Sequence, residues 1–421
     1  MKPIQLWPIR QYLLLLALFA APAAQTQGLF SDYQQFNAAW NEKKYEQCVQ
    51  LGVPLAKATA HPGIQYKLAE CYCQTGQLPQ SLALLGILAE RGLPYPVEEN
   101  SNFSRLYNDT QFVEYTATFR KNRTVIDKSK VSFVIKDSLL IPEGITYDGI
   151  HNAFLVGSLA KRKVIRCAGN GFCMDFTGSN QSGCWMALGM KVSPDGKSLW
   201  LCSAAEHDTL NGYSGLFQLE IHSGKVLRKL IMDNKQGPHL FNDLVITRRG
   251  DVYLTDSKAG KVWRSVQNGN ALIEYAAGFV YPNGIAIDQK NKVLFVADFM
   301  GLHVIDLKTG KHTPLDHQNK TYLNGIDGLY YYKGTLLGIQ DSGNQDDRIV
   351  RFYYDLKTNT ITKTETLQTF RKDFIIPTTG TIINREFHYI ANAQLRSLQP
   401  DGTITNPEKL VKPVILKLKI D

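Results

Sequence analysis

The feature that most constrains the fold of this chain is an internal repeat that begins after residue 131. Each unit has an apolar strand, a turn rich in Gly, Asp or Asn, and a second apolar strand. The units recur roughly every 40 to 55 residues, which is the spacing of β-propeller blades. The six units are PEGITYD at 142, ALGMKVSPDGKSLWLCS at 187, FNDLVITRRGDVYLTDS at 241, PNGIAIDQKNKVLFVAD at 282, IDGLYYYKGTLLGIQD at 326 and TTGTIINREFHYIAN at 378.

In the four middle units, further alternating segments complete four strands, so we predict an all-β six-bladed β-propeller over residues 121–421. An all-β sandwich or two smaller β domains are the alternatives, but neither explains six similar units. Closing the ring requires one blade built from both ends of the domain. Two segments suit this role, 131–135 and 414–420, and we favour the earlier one as the strand that completes the sixth blade.

The residues before the repeat carry a helical pattern. Part of this pattern, LAECYCQTGQLPQSLALL, resembles a tetratricopeptide repeat, and the resemblance covers about two repeats. Such an array ordinarily offers a groove to a protein partner, whereas the alternative is a helical cap docked on the next domain. We assign residues 24–120 to this tetratricopeptide-like helical region. Apolar residues at three- and four-residue spacing predict two helical hairpins over 36–40, 45–58, 64–75 and 79–91.

The first residues have the pattern of a secretory signal peptide. Lys2 and Arg10 precede an apolar run that is followed by Ala21 and Ala23 at the spacing of a cleavage site. An uncleaved membrane anchor is the alternative, but the run is about half of the ~20 residues that span a bilayer. We therefore expect residues 1–23 to be removed, a secreted or periplasmic location, and no membrane span in the mature chain.

The chain has seven cysteines, and export would place them in an oxidising compartment, where disulfides persist. Cys167 can pair with either Cys173 or Cys184, and at least one thiol remains free. Their spacing does not match that of a zinc site.

Basic residues exceed acidic ones, giving a formal net charge of +9, but they are scattered along the chain. The densest cluster is only 161–163, and no nucleic-acid-binding module is visible. We therefore expect no nucleic-acid partner and take the charge to favour solubility.

The candidate metal ligands share one position in the repeat, the residue just before the Gly or Asp that opens each innermost strand. The equivalent ends of the inner strands of a propeller meet at one mouth of the central channel. Four of the six residues offer oxygen ligands, which suit Ca²⁺, or less well Mg²⁺ or Mn²⁺. In order, the six are Glu143, Leu188, Asn242, Asn283, Asp327 and Thr379. We call Glu143, Asn242, Asn283 and Asp327 the oxygen ring.

Other polar or aromatic side chains lie in segments expected to rim the mouth and are candidates to contact a substrate. The candidates are Trp185, Gln340, Asp341, Asn344, Arg348 and Asn392.

Four motifs, PEGITYD, FNDLVITRRGDVYLTDS, PNGIAIDQKNKVLFVAD and IDGLYYY, resemble those of the regucalcin (senescence marker protein), gluconolactonase and luciferin-regenerating enzyme family of six-bladed calcium-binding propellers. The resemblance covers about residues 138–400. It implies that Glu143, Asn283 and Asp327 bind the metal directly and that Asn242 binds it more loosely or contacts substrate. It also implies that Asp327 is the base in lactone hydrolysis. Leu244 stands where the family usually has Gly and is expected to narrow the site.

The sequence thus favours an exported, metal-dependent hydrolase that acts on a small lactone or related cyclic ester. A bound cation and a carboxylate base suffice for that reaction, and the chain has no G-x-S-x-G, P-loop or G-x-G-x-x-G motif. The alternative is a non-enzymatic propeller, a scaffold or metabolite-binding protein. It would hold a structural calcium ion and use the helical region as a partner-binding arm.

Overall fold

A computed structural model describes residues 28–179, 183–206, 210–288, 290, 292–317, 321–341 and 347–421. The predicted signal peptide and the candidate residue Asn344 lie outside the described residues. Within the described ranges, no helix is both long and apolar enough to cross a membrane.

Strands dominate the chain from residue 130 onward and form six four-stranded antiparallel sheets. In chain order the strands are β1 (Lys130–Val134), β2 (Pro142–Asp148), β3 (Ala153–Ser158), β4 (Lys163–Cys167), β5 (Cys173–Asp175), β6 (Met186–Val192), β7 (Ser198–Ala205), β8 (Tyr213–Glu220), β9 (Val226–Met232), β10 (Phe241–Ile246), β11 (Val252–Asp256), β12 (Lys261–Ser265), β13 (Ile273–Ala277), β14 (Ile285–Ile287), β15 (Val293–Asp298), β16 (Gly301–Asp306), β17 (His312–Pro314), β18 (Ile326–Tyr332), β19 (Thr335–Gln340), β20 (Arg348–Asp355), β21 (Thr360–Thr369), β22 (Gly380–Ile383), β23 (Glu386–Ile390) and β24 (Val414–Lys419).

These sheets are the blades of a six-bladed β-propeller, as predicted. Each of the first five blades uses four consecutive strands, beginning with β2, β6, β10, β14 and β18. The first strand of each blade lines the central channel, and β2 contacts both β6 and β22, which closes the ring.

The sixth blade joins both ends of the propeller. Its order is β22, β23, β24, β1, so the early strand occupies the outer edge, as predicted. The C-terminal segment, which was the competing candidate, is also part of this blade and pairs with β23 and β1. The ring is therefore closed by both segments together.

The hydrophobic core lies between neighbouring blades, and Leu244 belongs to it. Leu244 is fully buried in a cluster that includes Trp200, Leu216 and Trp263. The expectation that Leu244 narrows the site is therefore wrong, because its side chain packs into the core of the second and third blades.

Glycines allow the inner strands to approach one another closely. A Cβ on Gly144 would lie 2.0 Å from the Leu188 carbonyl oxygen, and one on Gly284 would lie 2.4 Å from the Asp327 carbonyl oxygen. A Cβ on Gly328 would lie 2.8 Å from the Thr378 carbonyl oxygen. On the sixth blade, the hydroxyl groups of both Thr378 and Thr379 donate to the Glu143 carbonyl.

The helical region contains the predicted helices and continues beyond them. The helices are α1 (28–41), α2 (Tyr45–Ala58), α3 (Pro62–Gln74), α4 (Leu78–Glu90) and α5 (Thr110–Asn122), with 3-10 helices at Val97–Glu99 and Ser101–Leu106. Further 3-10 helices, Leu395–Ser397 and Pro407–Lys409, lie in the propeller between β23 and β24. The helix α5 was not predicted as a separate element. The tetratricopeptide-like character of the region stays a prediction.

The helical region is docked on the propeller. Each of its two hydrophobic clusters includes one propeller aromatic residue, Tyr322 in one and Phe299 in the other. The ring of Phe30 in α1 stacks on Tyr281 with 4.3 Å between centroids, and Tyr33 packs on Phe299 at 4.7 Å. These propeller residues lie in loops on the face where the inner strands begin, so the helices cover part of the channel mouth.

Two disulfides are present among the described residues. Cys167 pairs with Cys173, one of the two predicted partners, across a Cα–Cα distance of 4.0 Å. Cys184, the other candidate, is a buried free thiol. A second bridge, Cys48–Cys71, joins α2 to α3 and was not predicted.

Candidate functional site

Irregular strand pairing occurs at three of the four oxygen-ring residues, Glu143, Asn242 and Asp327. The strand pairing shifts register between Pro142 and Ile145, and equivalent shifts occur in the third and fifth blades at Asn242 and Asp327. Such β-bulges place an extra residue on the inner strand and redirect its side chain. The sequence could not reveal these bulges, because each depends on pairing with a neighbouring strand.

Positive φ angles mark the approach to two ring positions. Ile141 has φ 45° and Tyr281 has φ 52°, each two residues before a ring residue and followed by proline. A left-handed conformation is costly for residues with a β-carbon, by about 1–3 kcal/mol, and is retained where the surroundings enforce it.

Threonine and serine hydroxyl groups on neighbouring strands donate hydrogen bonds to backbone carbonyls at and beside the oxygen-ring residues. Thr255 Oγ1 donates to the Asn283 carbonyl at 2.6 Å, and Ser257 Oγ donates to the adjacent Pro282 carbonyl at 2.6 Å. Thr378 Oγ1 donates to the Glu143 carbonyl at 3.2 Å. Ring residues of different blades are thus held by direct hydrogen bonds between blades.

The two ring carboxylates interact electrostatically, and Glu143 is shielded from water. Glu143 is 5% exposed, and its Oε2 has no hydrogen-bond partner among the described residues. Burial raises the pKa of Glu143 well above its ordinary value, and the negative charges of Asp327 and Asp243 raise it further. A buried carboxylate oxygen without a partner is costly unless a cation or a proton neutralises it.

Asp327 lies deep in the fold but keeps part of its surface exposed at the mouth. Burial raises its pKa to about 7; the hydrogen bond from Asn283 opposes this shift, and the charges of Asp243 and Asp341 add to it. Asn283 Nδ2 donates to Asp327 Oδ1 at 2.8 Å, which fixes one carboxylate oxygen.

The donor set fits a hard cation. Asn242 Nδ2 donates to Ser257 Oγ at 3.1 Å, so its carbonyl oxygen is the atom that this amide would offer to a ligand. In the described parts of the chain, no group of three or more His, Cys, Asp or Glu residues could hold a metal ion by itself. A cation at the ring would therefore need the amide oxygens as well as the carboxylates. Such all-oxygen ligation suits Ca²⁺ far better than Zn²⁺.

Asp243 is a channel residue that the sequence analysis missed. It is 2% exposed, its Oδ1 lies 3.4 Å from Lys191 Nζ, and its Oδ2 has no hydrogen-bond partner among the described residues. The ammonium of Lys191 also lies 5.3 Å from the ring centroid of Tyr330. The available signal was that Asp243 occupies the place where most units have glycine.

Two of the candidate substrate-contacting residues are engaged with the backbone. Gln340 is fully buried, donates to the Asn324 carbonyl at 2.7 Å and accepts from Arg348 Nε at 2.7 Å. Asn392 donates to the Lys412 carbonyl at 3.0 Å and accepts from the Val414 N–H at 2.6 Å. These bonds give both amides a role in holding loops, and their contact with substrate stays a prediction.

The other described candidates lie near the mouth. Trp185 is half-buried and packs edge-on to Tyr213, with centroids 6.5 Å apart. Arg348 stacks over Tyr322 at 4.1 Å. Asp341 donates its N–H to the Gly325 carbonyl at 2.8 Å, two residues before Asp327.

Comparison with known proteins gave structural matches only. No protein-family model matches the chain, and no curated protein matches it in sequence. Similar solved structures include a gluconolactonase from Xanthomonas campestris, with 12% identity over 71% of this chain and 97% of that one and a TM-score of 0.46. Regucalcin from Agrobacterium tumefaciens, described as a calcium-binding protein, has 14% identity over 70% of this chain and 96% of that one, with a TM-score of 0.49. A luciferin-regenerating enzyme has 11% identity over 69% of this chain and 94% of that one, with a TM-score of 0.48.

This chain has a six-bladed β-propeller fold. The three structures carry the names of the family that the sequence motifs suggested. A glucose dehydrogenase also matches, with 11% identity over 68% of this chain and 98% of that one and a TM-score of 0.50. At these identities the fold is shared and the chemistry must be argued from the site.

Proposed function

We propose that this gluconolactonase-like propeller is an exported, metal-dependent hydrolase of a lactone or related cyclic ester. The observation that carries the proposal is the buried Glu143 oxygen that lacks a partner among the described residues, together with the Asn283–Asp327 hydrogen bond between the fourth and fifth blades. Structural neighbours named gluconolactonase and calcium-binding regucalcin are consistent with this chemistry.

Glu143, Asn283 and Asp327 would hold Ca²⁺ directly, with Asn242 binding it more loosely or contacting substrate. Mg²⁺ and Mn²⁺ are the alternatives for the same oxygen donors. When bound, the cation polarises the ester carbonyl as a Lewis acid.

Asp327 is the base in the proposed reaction. Asn283 fixes its Oδ1, which leaves Oδ2 to accept a proton from the attacking water. The water oxygen then bonds to the carbonyl carbon, the ester C–O bond breaks, and the departing alkoxide takes up the proton. The product is the ring-opened hydroxy acid.

Two further features support the exported part of the proposal. The disulfides Cys48–Cys71 and Cys167–Cys173 are bonds that persist in oxidising compartments. The signal-like sequence of residues 1–23 points to the same location.

The direct test is a panel of lactones assayed on chelator-stripped protein, with Ca²⁺, Mg²⁺ or Mn²⁺ added back, alongside calorimetry. We expect hydrolysis to need the metal, and we expect Ca²⁺ at a hundred times its Kd to stabilise the fold by about 2.7 kcal/mol. Absence of both Ca²⁺ heat and thermal stabilisation would remove the metal site. Metal binding without turnover of any lactone would leave a calcium-binding propeller that is not this hydrolase.

A further inference from the structure

A cavity of about 920 Å³ lies between the helical region and the propeller. Tyr66, Asn100 and Ser101 line it from the helical side, and Phe374 and Ile375 line it from the propeller side. We call this space the interdomain cavity. Its volume is at the upper end of the roughly 300–1,000 Å³ of ligand pockets, and exceeds what a single-ring lactone fills.

The interdomain cavity ends beside the oxygen ring. Asp341, which lines it, donates its N–H to the carbonyl of Gly325, two residues before Asp327. Ile376, another lining residue, lies two positions before Thr378, whose hydroxyl donates to the Glu143 carbonyl. A molecule reacting at Asp327 could therefore extend into this space.

The walls combine apolar faces with polar groups of both charge signs. Phe370 and Phe374 are half-buried, and Ile375 is 42% exposed, so apolar surface faces the cavity. Glu99 and Lys372 also line it and carry opposite charges. Mixed charge disfavours a strongly ionic ligand, whereas apolar faces beside hydrogen-bonding groups suit a neutral polyhydroxylated ring, such as a sugar.

We infer that the helical region builds a second subsite, which holds a glycosyl substituent of a substrate whose lactone ring lies at the oxygen ring. The inference deepens the proposed function and rests on it for the identity of the reacting group. It assigns substrate selection to the helical region, which has no position in the ring itself.

Binding of sugar acids tests the subsite without requiring turnover. Gluconate and lactobionate share the same acid portion, and lactobionate adds one galactosyl unit. Calorimetry on the full chain in excess Ca²⁺ should give lactobionate a Kd at least ten-fold lower than that of gluconate, which corresponds to about 1.4 kcal/mol.

Two variants narrow the cavity from opposite walls. Ser101→Trp acts from the helical side and Ile375→Trp from the propeller side, and both residues are exposed. Each should remove the preference for lactobionate. Ile273→Trp is the matched control, because Ile273 is 55% exposed on β13, away from the cavity. Thermal unfolding checks that each variant is folded, and either cavity variant suffices if the other is not.

Equal affinity for the two acids, or a preference that survives in a folded cavity variant, would overturn the subsite. Hydrolysis of glucono-δ-lactone and lactobiono-δ-lactone is measured in parallel. A lactobionate preference without any hydrolysis would refute the proposed function and leave the subsite standing. Hydrolysis of the lactones without a preference for lactobionate would refute the subsite and leave the proposed function standing.

Discussion

Asn283 and Asp327 belong to neighbouring blades, yet the amide of the first holds the carboxylate of the second. This hydrogen bond gives the two oxygens of Asp327 different environments, because it fixes Oδ1. Glu143 has no comparable donor at Oε2 among the described residues. The two carboxylates are therefore expected to respond differently when each is made neutral.

Asp327→Asn should keep an oxygen ligand but remove the base. We expect turnover to fall about a hundred-fold or more while part of the Ca²⁺ affinity persists. Glu143→Gln is the comparison, since it removes a ligand charge but not the base; it should weaken Ca²⁺ binding more and be partly rescued by excess Ca²⁺. Kinetics and calorimetry on the same preparations separate the two effects. Undiminished activity in Asp327→Asn would exclude Asp327 as the base.

His61 makes the stability of the helical region depend on pH. Burial, and next the charge of Lys67, lower its pKa from 6.5 to about 4, and its Nδ1 accepts the Gly63 N–H at the start of α3. As the pH falls, the unfolded chain protonates His61 at a higher pH than the folded chain does. The free energy of unfolding is therefore unaffected by His61 above about pH 6.5 and decreases as the pH drops toward 4. The loss should reach on the order of 3 kcal/mol, measured by urea unfolding at a series of pH values.

His61→Asn is the matched variant, because asparagine can keep the helix cap but does not titrate. Its unfolding curve should change less between pH 6.5 and 4 than that of the parent. An identical pH dependence in the two proteins would assign the effect to other groups, such as His388, whose pKa is also lowered to about 4.

At the level of secondary structure, the regular elements were predictable and their irregularities were not. Apolar periodicity located the blades and helices because it reports burial along one element. The bulges at the oxygen ring and the Cys48–Cys71 bridge depend on contacts between elements, which a single sequence does not display. Asp243 was missed for a related reason, since its chemistry appears only when Lys191 and Glu143 are brought beside it.

The close approach of inner strands predicts a cost for adding one methyl group. Gly284→Ala would place its Cβ 2.4 Å from the Asp327 carbonyl and 2.9 Å from Leu329 Cβ. We expect a loss of about 1–3 kcal/mol in the free energy of unfolding, and weaker Ca²⁺ binding because the Asp327 backbone must shift. Gly149→Ala is the control, since nothing lies within 4 Å of its added Cβ. Similar effects in both variants would argue against strand approach as the cause.

At the level of the whole molecule, the position of the helical region could not be predicted from the sequence. Its contacts with the propeller come from isolated aromatics such as Phe30, Tyr281 and Phe299, which follow no periodic pattern. The resulting arrangement covers part of the channel mouth. Binding of a separate protein partner to this region stays a prediction.

Removing residues 24–122 should leave a folded propeller that binds Ca²⁺, because the blades and the oxygen ring lie outside the deleted part. The cut keeps Ile126 and Lys128, which hydrogen-bond to Thr369 and Gln368. Exposure of Phe299 and Tyr322 should raise dye binding and lower the melting temperature.

A deletion extended to residue 129 is the control for this cut, because it also removes those hydrogen bonds and should melt lower still. If the shorter deletion loses both folding and Ca²⁺ binding, the helices are an integral part of the propeller.

The arrangement of the sixth blade imposes an order on biosynthesis. On the ribosome, β1 emerges first among the described strands, yet the strand that pairs with it, β24, is translated after all the others. Throughout elongation, β1 remains an unpaired edge, the kind of surface that templates aggregation. Lys130, Val131 and Val134 of this strand are exposed. A nascent chain that stalls before residue 414 would therefore be released with an open ring, which makes this strand a natural recognition point for chaperones and proteases.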